Sequence, residues 1–494
     1  MLSGIAQAAL ATTVLAPLTA ALLAAVLGAR WPEQLVRLGA AIACIGFLAG
    51  VGLTAVLLSG TETVIGTGVF SLQVDPVAAI MVLLIFGVSA VAQTYAVRYL
   101  AGDRRGGWFA AGASLLTASS AVMVTATAPV GIGVGWTGAG IALCALLATY
   151  WHLPAARDGV RRTALAFVIG DVALWSAIGL VTLDASADGI VAAVAAVLIV
   201  TAALSRSAQI PFHRWLPATL AAPTPVSALL HAGAVNAGAL LLVRLHPVYD
   251  TAVASALAIM AGTATLLYGA AVMLVKPDVK GALAHSTMAQ MGFMILTCGL
   301  GLWAAAVIHL VAHGFYKATL FLSSGSAIAG LRRDAAVPHD IAADGRGRTL
   351  ATSLSVALPT GALLTALAVI PAAPADHAAE YALLIFAWVT GAAATWGWLR
   401  RRPGLGGAAV AASFLVPAAV AYLGLIRAVG HFLEPALPAP AGPSTTAWVV
   451  VAATVTLLTA VATIRYRSGG LHGAIYTRVL AAGHVPTTTT GDHR

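Results

Sequence analysis

Three titratable side chains recur every four residues in an almost uncharged apolar run: His309, His313 and Lys317, within Ile308-His309-Leu310-Val311-Ala312-His313-Gly314-Phe315-Tyr316-Lys317-Ala318. On an α-helix this spacing puts all three on one slowly drifting face, roughly 12 Å long at about 1.5 Å per residue. Lys317 is one of only three lysines in the chain. An ionised side chain near the middle of a bilayer costs about 2.5 to 3.5 kcal/mol even on lenient insertion scales, so the face is expected against hydrated space or a partner charge. Imidazole exchanges protons near neutral pH. The chemistry would be that of a proton or cation path. The alternative is a set of buried polar groups that hold helices together.

The elements that must position this face are membrane helices. Of the 494 residues 60% are hydrophobic and only 9% charged, against about 25% charged in soluble domains, and mean hydropathy is +0.94. The composition is that of an all-α polytopic membrane protein with little sequence left for a soluble catalytic domain. Fifteen candidate spans lie near 5–29, 34–59, 75–100, 107–129, 131–150, 162–182, 190–207, 225–245, 252–275, 283–300, 303–328, 349–371, 378–399, 406–430 and 446–464. The first Arg is Arg30, so residues 5 to 29 read as a retained span and not as a cleaved signal.

Charge orients these spans, because cytoplasmic loops carry the excess of Lys and Arg. Arg30 and Arg37, Arg98 with Arg104 and Arg105, Arg157 with Arg161 and Arg162, Arg206 and Arg214, Lys276 and Lys280, Arg332 through Arg348, Arg400 to Arg402 and the tail from Arg465 all follow odd-numbered spans. Only Arg244, Lys317 and Arg427 do not. The N-terminus is therefore expected outside and the C-terminus in the cytoplasm. The net charge of +9 follows from these loops and argues for topogenesis, not nucleic-acid binding.

Cys44, Cys144 and Cys298 lie far apart in apolar spans, a pattern that supports neither a metal site nor a disulfide. Residues 332–348 read as the longest cytoplasmic loop. The stretch Thr61 to Asp75 alternates apolar and polar residues around Gly66 and Gly68, which predicts a small β-hairpin. In Ser205-Arg206-Ser207-Ala208-Gln209-Ile210-Pro211-Phe212-His213-Arg214-Trp215-Leu216-Pro217 the prolines interrupt span 7 and leave backbone groups that need water or neighbouring side chains. Hydropathy permits Arg206 either at the cytoplasmic end or deeper.

Two more blocks complete a pattern: Pro223-Thr224-Pro225-Val226-Ser227-Ala228-Leu229-Leu230-His231, and His285-Ser286-Thr287-Met288-Ala289-Gln290-Met291-Gly292. With the Ser-Ala-Gln-x-Pro run and the His309/His313/Lys317 face, they resemble the proton-conducting subunits of respiratory complex I, including subunit 5-like chains, and of Mrp-type cation/proton antiporters. The resemblance is strong over about residues 130 to 330 and topological elsewhere. It implies two inverted five-helix repeats, at 107–245 and 252–402, with helices 7 and 12 broken. N-terminal helices at 1–106, C-terminal helices at 403–467 and a disordered cytoplasmic tail at 468–494 would flank them.

Position by position, the resemblance places His231, His309, His313 and Lys317 in the ion path, and Lys280, which matches a basic residue opening helix ten, either joins that path or snorkels to the cytoplasmic surface. Ser286, Thr287 and Gln290 either line that path or satisfy helix contacts. Asp171 matches the family's acid on helix six, with Arg206 as its expected partner, in a gating pair or a static one. Two departures stand out. Where the family carries a helix-five Glu in Trp-Glu-Gly, this chain has Trp136-Thr137-Gly138, and the helix-seven Lys is Arg206. Thr does not ionise and Arg does not deprotonate, so this pair cannot relay a proton. Span 12, from Ser355 to Pro371, has no Lys. Asp376, His377 and Glu380 fall in an expected external loop.

These losses most resemble the membrane subunit of the two-component DAB inorganic-carbon transporter. That likeness implies a proton- or sodium-conducting, non-enzymatic subunit in the cell inner membrane. It would form a heterodimer with a large cytoplasmic partner, a β-carbonic-anhydrase-like protein that binds zinc and converts CO₂ to bicarbonate. This chain itself would hold no cofactor and no metal. The rival expectations are a proton-pumping or antiporter subunit of complex I or Mrp type, and a non-conducting membrane anchor.

Overall fold

The computed structural model describes residues 2–183, 189–246, 251–335, 345–370, 377–402, 404–438, 452–453, 456 and 470–484. Helices dominate: α1 (Leu2–Leu27), α2 (Pro32–Leu58), α3 (Pro76–Tyr99), α4 (Gly106–Thr125), α5 (Pro129–Leu147), α6 (Pro154–Leu183) and α7 (Ile190–Arg206). They continue as α8 (Thr224–Ala232), α9 (Ala237–Arg244), α10 (Ala252–Val275), α11 (Val279–Gly299), α12 (Trp303–Leu322) and α13 (Ser324–Ala335). Last come α14 (Gly345–Val369), α15 (His377–Arg401), α16 (Leu405–Leu433) and α17 (Gly470–Ala482). Local sequence fixes several helix starts. Prolines open α2, α3 and α5, where the missing N–H costs nothing. The side chains of Asp75, Thr251 and Asp278 accept from the first-turn amides of α3, α10 and α11, satisfying donors that a helix cannot pair itself.

Each of the first fourteen candidate spans carries a helix, and twelve spans among the described residues are long and apolar enough to cross a membrane. The fifteenth, 446–464, lies mostly outside the described residues. The expected hairpin is present, with β1 (Thr63–Ile65) antiparallel to β2 (Leu72–Val74) and Thr63 opposite Val74.

Span 7 breaks after Arg206, as the prolines predict, and a 3-10 helix follows at Phe212–Thr219. Ala208 turns the chain with φ +50°, a conformation costly for a residue with a Cβ. Side chains satisfy the freed backbone. Ser207 Oγ donates to the Val235 carbonyl at 2.7 Å, the Ile210 amide donates to Thr265 Oγ1 at 2.9 Å, and Trp215 Nε1 donates to the Ser205 carbonyl at 2.9 Å. Span 8 is broken as well, which the sequence did not predict: α8 ends before Gly233, a 3-10 turn spans Ala234–Asn236, and α9 resumes.

Span 12 corrects the expectation of a second break there. Helix α14 runs without interruption through Pro359, since one lost amide bond bends a membrane helix without ending it when neighbours pack against it. The tail is corrected too. Residues 470–482 form α17, whose Ala482 carbonyl accepts from Tyr268 Oη at 2.9 Å, so tertiary contact overrides the polar composition at the terminus. The long loop shrinks at both ends, because α13 extends to Ala335 and α14 begins at Gly345. Glu380, expected in a loop, lies in the first turn of α15.

Two compact units divide the chain, one of residues 1–301, 310–328 and 452–494, the other of 302–309 and 329–451. The boundary differs from the expected division at 245–252, because α10 and α11 pack within the first unit, against α7 and α9. Helices α10 and α11 approach closely through Gly262 and Gly292. A Cβ on Gly262 would stand 2.6 Å from the Leu296 amide, and one on Gly292 would stand 2.5 Å from the Leu266 amide. Small residues of this kind allow helix contact where no hydrophobic force separates lipid from protein. In the second unit, Ala362 and Ala366 of α14 pack with Leu384 of α15 and with Ala419 and Leu423 of α16.

Candidate ion-conducting site

Lys317 is fully buried, at 0% exposure. Its Nζ donates to Ser286 Oγ on α11 at 2.8 Å. One turn further along α12, the buried Phe321 ring stacks on His231 of α8, with ring centroids 4.1 Å apart and planes 11° from parallel. Gly314 permits this approach, since a Cβ there would stand 3.0 Å from the Ala232 carbonyl. Lys317 and Lys280, the latter half-buried in the first turn of α11, both act electrostatically on His231. The structure thus gathers His231, Lys280, Ser286 and Lys317. His313 is buried on the same helix.

His309 belongs to the other compact unit, where its ring stands edge-on to Phe386 of α15 at 4.7 Å. Thr287 Oγ1 donates to the Leu283 carbonyl of its own helix at 3.0 Å, so its hydroxyl serves α11 itself. Gln290 Oε1 is buried without a hydrogen-bond partner among the described residues.

Asp171 and Arg206 form a second group. Arg206, 1% exposed, donates from Nη2 to Asp171 Oδ1 at 3.1 Å and from Nη1 to the Trp136 carbonyl at 3.2 Å. Its guanidinium lies between two aromatic rings, 4.2 Å from the Trp136 centroid and 4.1 Å from that of Phe167. Gly140 makes the space, because a Cβ there would stand 2.8 Å from Nη2. Trp136 Nε1 donates to the same Asp171 oxygen at 2.6 Å. Thr137 is turned to another use and accepts from Trp175 Nε1 at 3.0 Å. The counter-charge to Arg206 therefore comes from α6 and not from α5. A planar cation that stacks on both faces suits this cage in a way that an ammonium does not.

A cavity of about 50 Å³ adjoins both groups. Its wall includes Arg206, Ser89, Thr117 and Asn236, together with Ala232 and Gly233 directly after His231. Ser89 and Thr117 share a hydrogen bond of 2.7 Å. Asn236 donates to the Ala232 carbonyl while its Oδ1 has no partner among the described residues. About 10 to 15 Å³ suffices for one water, so the cavity has room for solvent beside the break in span 8.

Comparison with known proteins places this geometry. The family described as "NADH:quinone oxidoreductase/Mrp antiporter, TM" matches residues 160–399, and "NADH-Ubiquinone oxidoreductase (complex I), chain 5 N-terminus" matches 67–109. Together they take in more than half of the chain. The chain belongs to this family of antiporter-like membrane subunits. Among its relatives, the probable inorganic carbon transporter subunit DabB1 of Halothiobacillus neapolitanus is 36% identical over 353 residues, which are 66% of this chain and 63% of that protein. The NADH-quinone oxidoreductase subunit L of Mycobacterium tuberculosis is 36% identical over 331 residues, 60% of this chain and 52% of that protein. The chain thus spans between half and two thirds of the length of these relatives. Its fold resembles a chain of the Mrp complex from Dietzia sp. DQ12-45-1b, with a TM-score of 0.64, 24% identity, and 96% of this chain and 59% of that chain covered.

Aromatic side chains hold two of the candidate site residues. Trp136 and Phe167 cage Arg206, and Phe321 carries His231; all three are aromatic residues in apolar runs and give no polar signal. Arg244 and Arg427, two of the three exceptions to the loop-charge rule, each close on a carboxylate within their own unit. Arg244 bonds Asp75 and the Val124 carbonyl. Arg427 grips Glu380 with two bonds of 3.0 and 2.9 Å and donates to the Ile370 carbonyl at 2.6 Å.

Proposed function

We propose that this chain is the cation-conducting membrane subunit of an inorganic-carbon uptake complex, carrying H⁺ or Na⁺ along a path centred on Lys317. The buried Lys317 amine supports this most directly: among the described residues it donates to a hydroxyl, Ser286 Oγ, and forms no ion pair with a carboxylate. Burial of a lysine without a carboxylate is costly for packing alone, whereas a relay needs a group whose proton is easily given up. Relatives named as inorganic carbon transporter subunits in Halothiobacillus neapolitanus and Bacillus subtilis support the carbon-uptake assignment.

Chemistry would lie in a cytoplasmic zinc-binding partner resembling a β-carbonic anhydrase. Hydration of CO₂ releases a proton, and an ion flux coupled to its removal would make the reaction run one way. The N-terminus would face outward and the C-terminus the cytoplasm, in the inner membrane. In a strain that needs this system to grow in air, Lys317→Ala is expected to abolish carbon uptake while the protein still inserts. Unchanged uptake contradicts conduction. Co-purification of the tagged chain followed by metal analysis is expected to recover zinc with the partner.

A complex I or antiporter role is the second assignment, favoured by equal identity to the Mycobacterium tuberculosis subunit L. Thr137, Arg206 and the lysine-free span 12 count against it, because an arginine caged with Asp171 cannot pass a proton onward.

A further inference from the structure

We propose that His213, Tyr268 and His285 form the access point through which protons reach Lys317 from the Arg- and Lys-rich helix ends; this rests on the conduction assignment above. The Tyr268 ring of α10 stands between two imidazoles, 5.0 Å from His213 in the 3-10 segment and 6.2 Å from His285 of α11. His285 is 1% exposed, and its Nδ1 lies 2.8 Å from the Gly281 carbonyl. Its Nε2 is buried with no hydrogen-bond partner among the described residues. An orphaned buried polar atom is costly for a side chain kept only for packing. One nitrogen held and one free is the arrangement of a proton carrier.

The cluster and the hydroxyl partner of Lys317 share helix α11, on which His285 and Ser286, which accepts from Lys317 Nζ, lie one position apart. At the other end His213 is half-buried beside the exposed Arg214. Among the described residues, the charged groups acting electrostatically on the cluster are Arg214 from the 3-10 segment and Lys276 and Asp278 from the α10–α11 turn. Tyr268 Oη is committed to the Ala482 carbonyl of α17, so the phenol acts as a fixed spacer and the imidazoles carry the proton.

The test reconstitutes the full chain in liposomes containing a pH-sensitive dye and follows proton entry after an imposed gradient. His285→Gln and His213→Gln are each expected to lower flux about a hundred-fold, as loss of a positioned proton-transfer group does, and to flatten its dependence on pH between about 5 and 8. Lys317→Ala serves as the reference for a blocked path. Wild-type flux and pH profile in both histidine variants, with Lys317→Ala inactive, overturn the access point and leave the conduction assignment standing. A silent wild-type chain overturns both. If His285→Gln does not fold, the half-buried His213→Gln decides the question alone.

Discussion

At the scale of single residues, Asp171 and Arg206 are held by partners that differ greatly in cost when removed. Asp171→Asn leaves the Arg206 charge buried between two rings without its counter-charge, a change that costs about 3 to 5 kcal/mol when a buried pair loses one member. The expected result is a clear fall in thermal unfolding temperature in detergent. Replacing both, as Asp171→Leu with Arg206→Met, is expected to recover most of that loss; a double variant as unstable as the single one would show that the pair does more than balance charge. Arg206 and Asp171 were legible in the sequence because a charge in an apolar run is conspicuous. Phe167 and Gly140, which help build their cage, were not, since one aromatic or glycine among many in an apolar chain carries no mark of the contact it makes, and Trp136 showed only as part of the Trp-Thr-Gly pattern.

At the scale of elements, the breaks in spans 7 and 8 are stabilised by side chains from neighbouring helices. Thr265→Val removes the acceptor of the half-buried Ile210 amide and is expected to destabilise by about 1 to 3 kcal/mol. Hydrogen exchange then reads the effect as loss of protection confined to residues 207–220, while uniform loss across the chain would place the fault elsewhere. Prolines announced the break after Arg206. The break at Gly233 was hidden because the chain has 50 glycines, most of which sit within helices, and only the packing against α12 and α7 decides which one opens. At span 12 it was the resemblance that misled, in the opposite direction, since α14 continues through Pro359. Helix α17 was missed because the Thr-rich terminus beyond it set the composition, whereas its anchor, Tyr268, lies some two hundred residues earlier.

At the scale of the whole molecule, the pattern of loop charges and the carboxylate clasps of Arg244 and Arg427 are consistent with one orientation. Arg244 meets the cap of α3 and Arg427 the first turn of α15, so these two of the three exceptions are neutral pairs and do not weigh in the count of free cations. Single cysteines placed at Thr61 and at Asp103 in a chain lacking its own three cysteines are expected to react oppositely with an impermeant maleimide, Thr61 from outside and Asp103 only after permeabilisation. Equal labelling would contradict the assigned topology. Membrane class and span order were written in composition and charge; the division into compact units was not, because it depends on which helices meet and not on what each contains. The central claim is that Lys317 carries an ion across the bilayer. Ion flux into liposomes containing the full chain tests it most directly: a gradient-driven flux that Lys317→Ala abolishes, with the variant folded and inserted like the wild type, is the predicted result, and a flux undiminished by Lys317→Ala would contradict it.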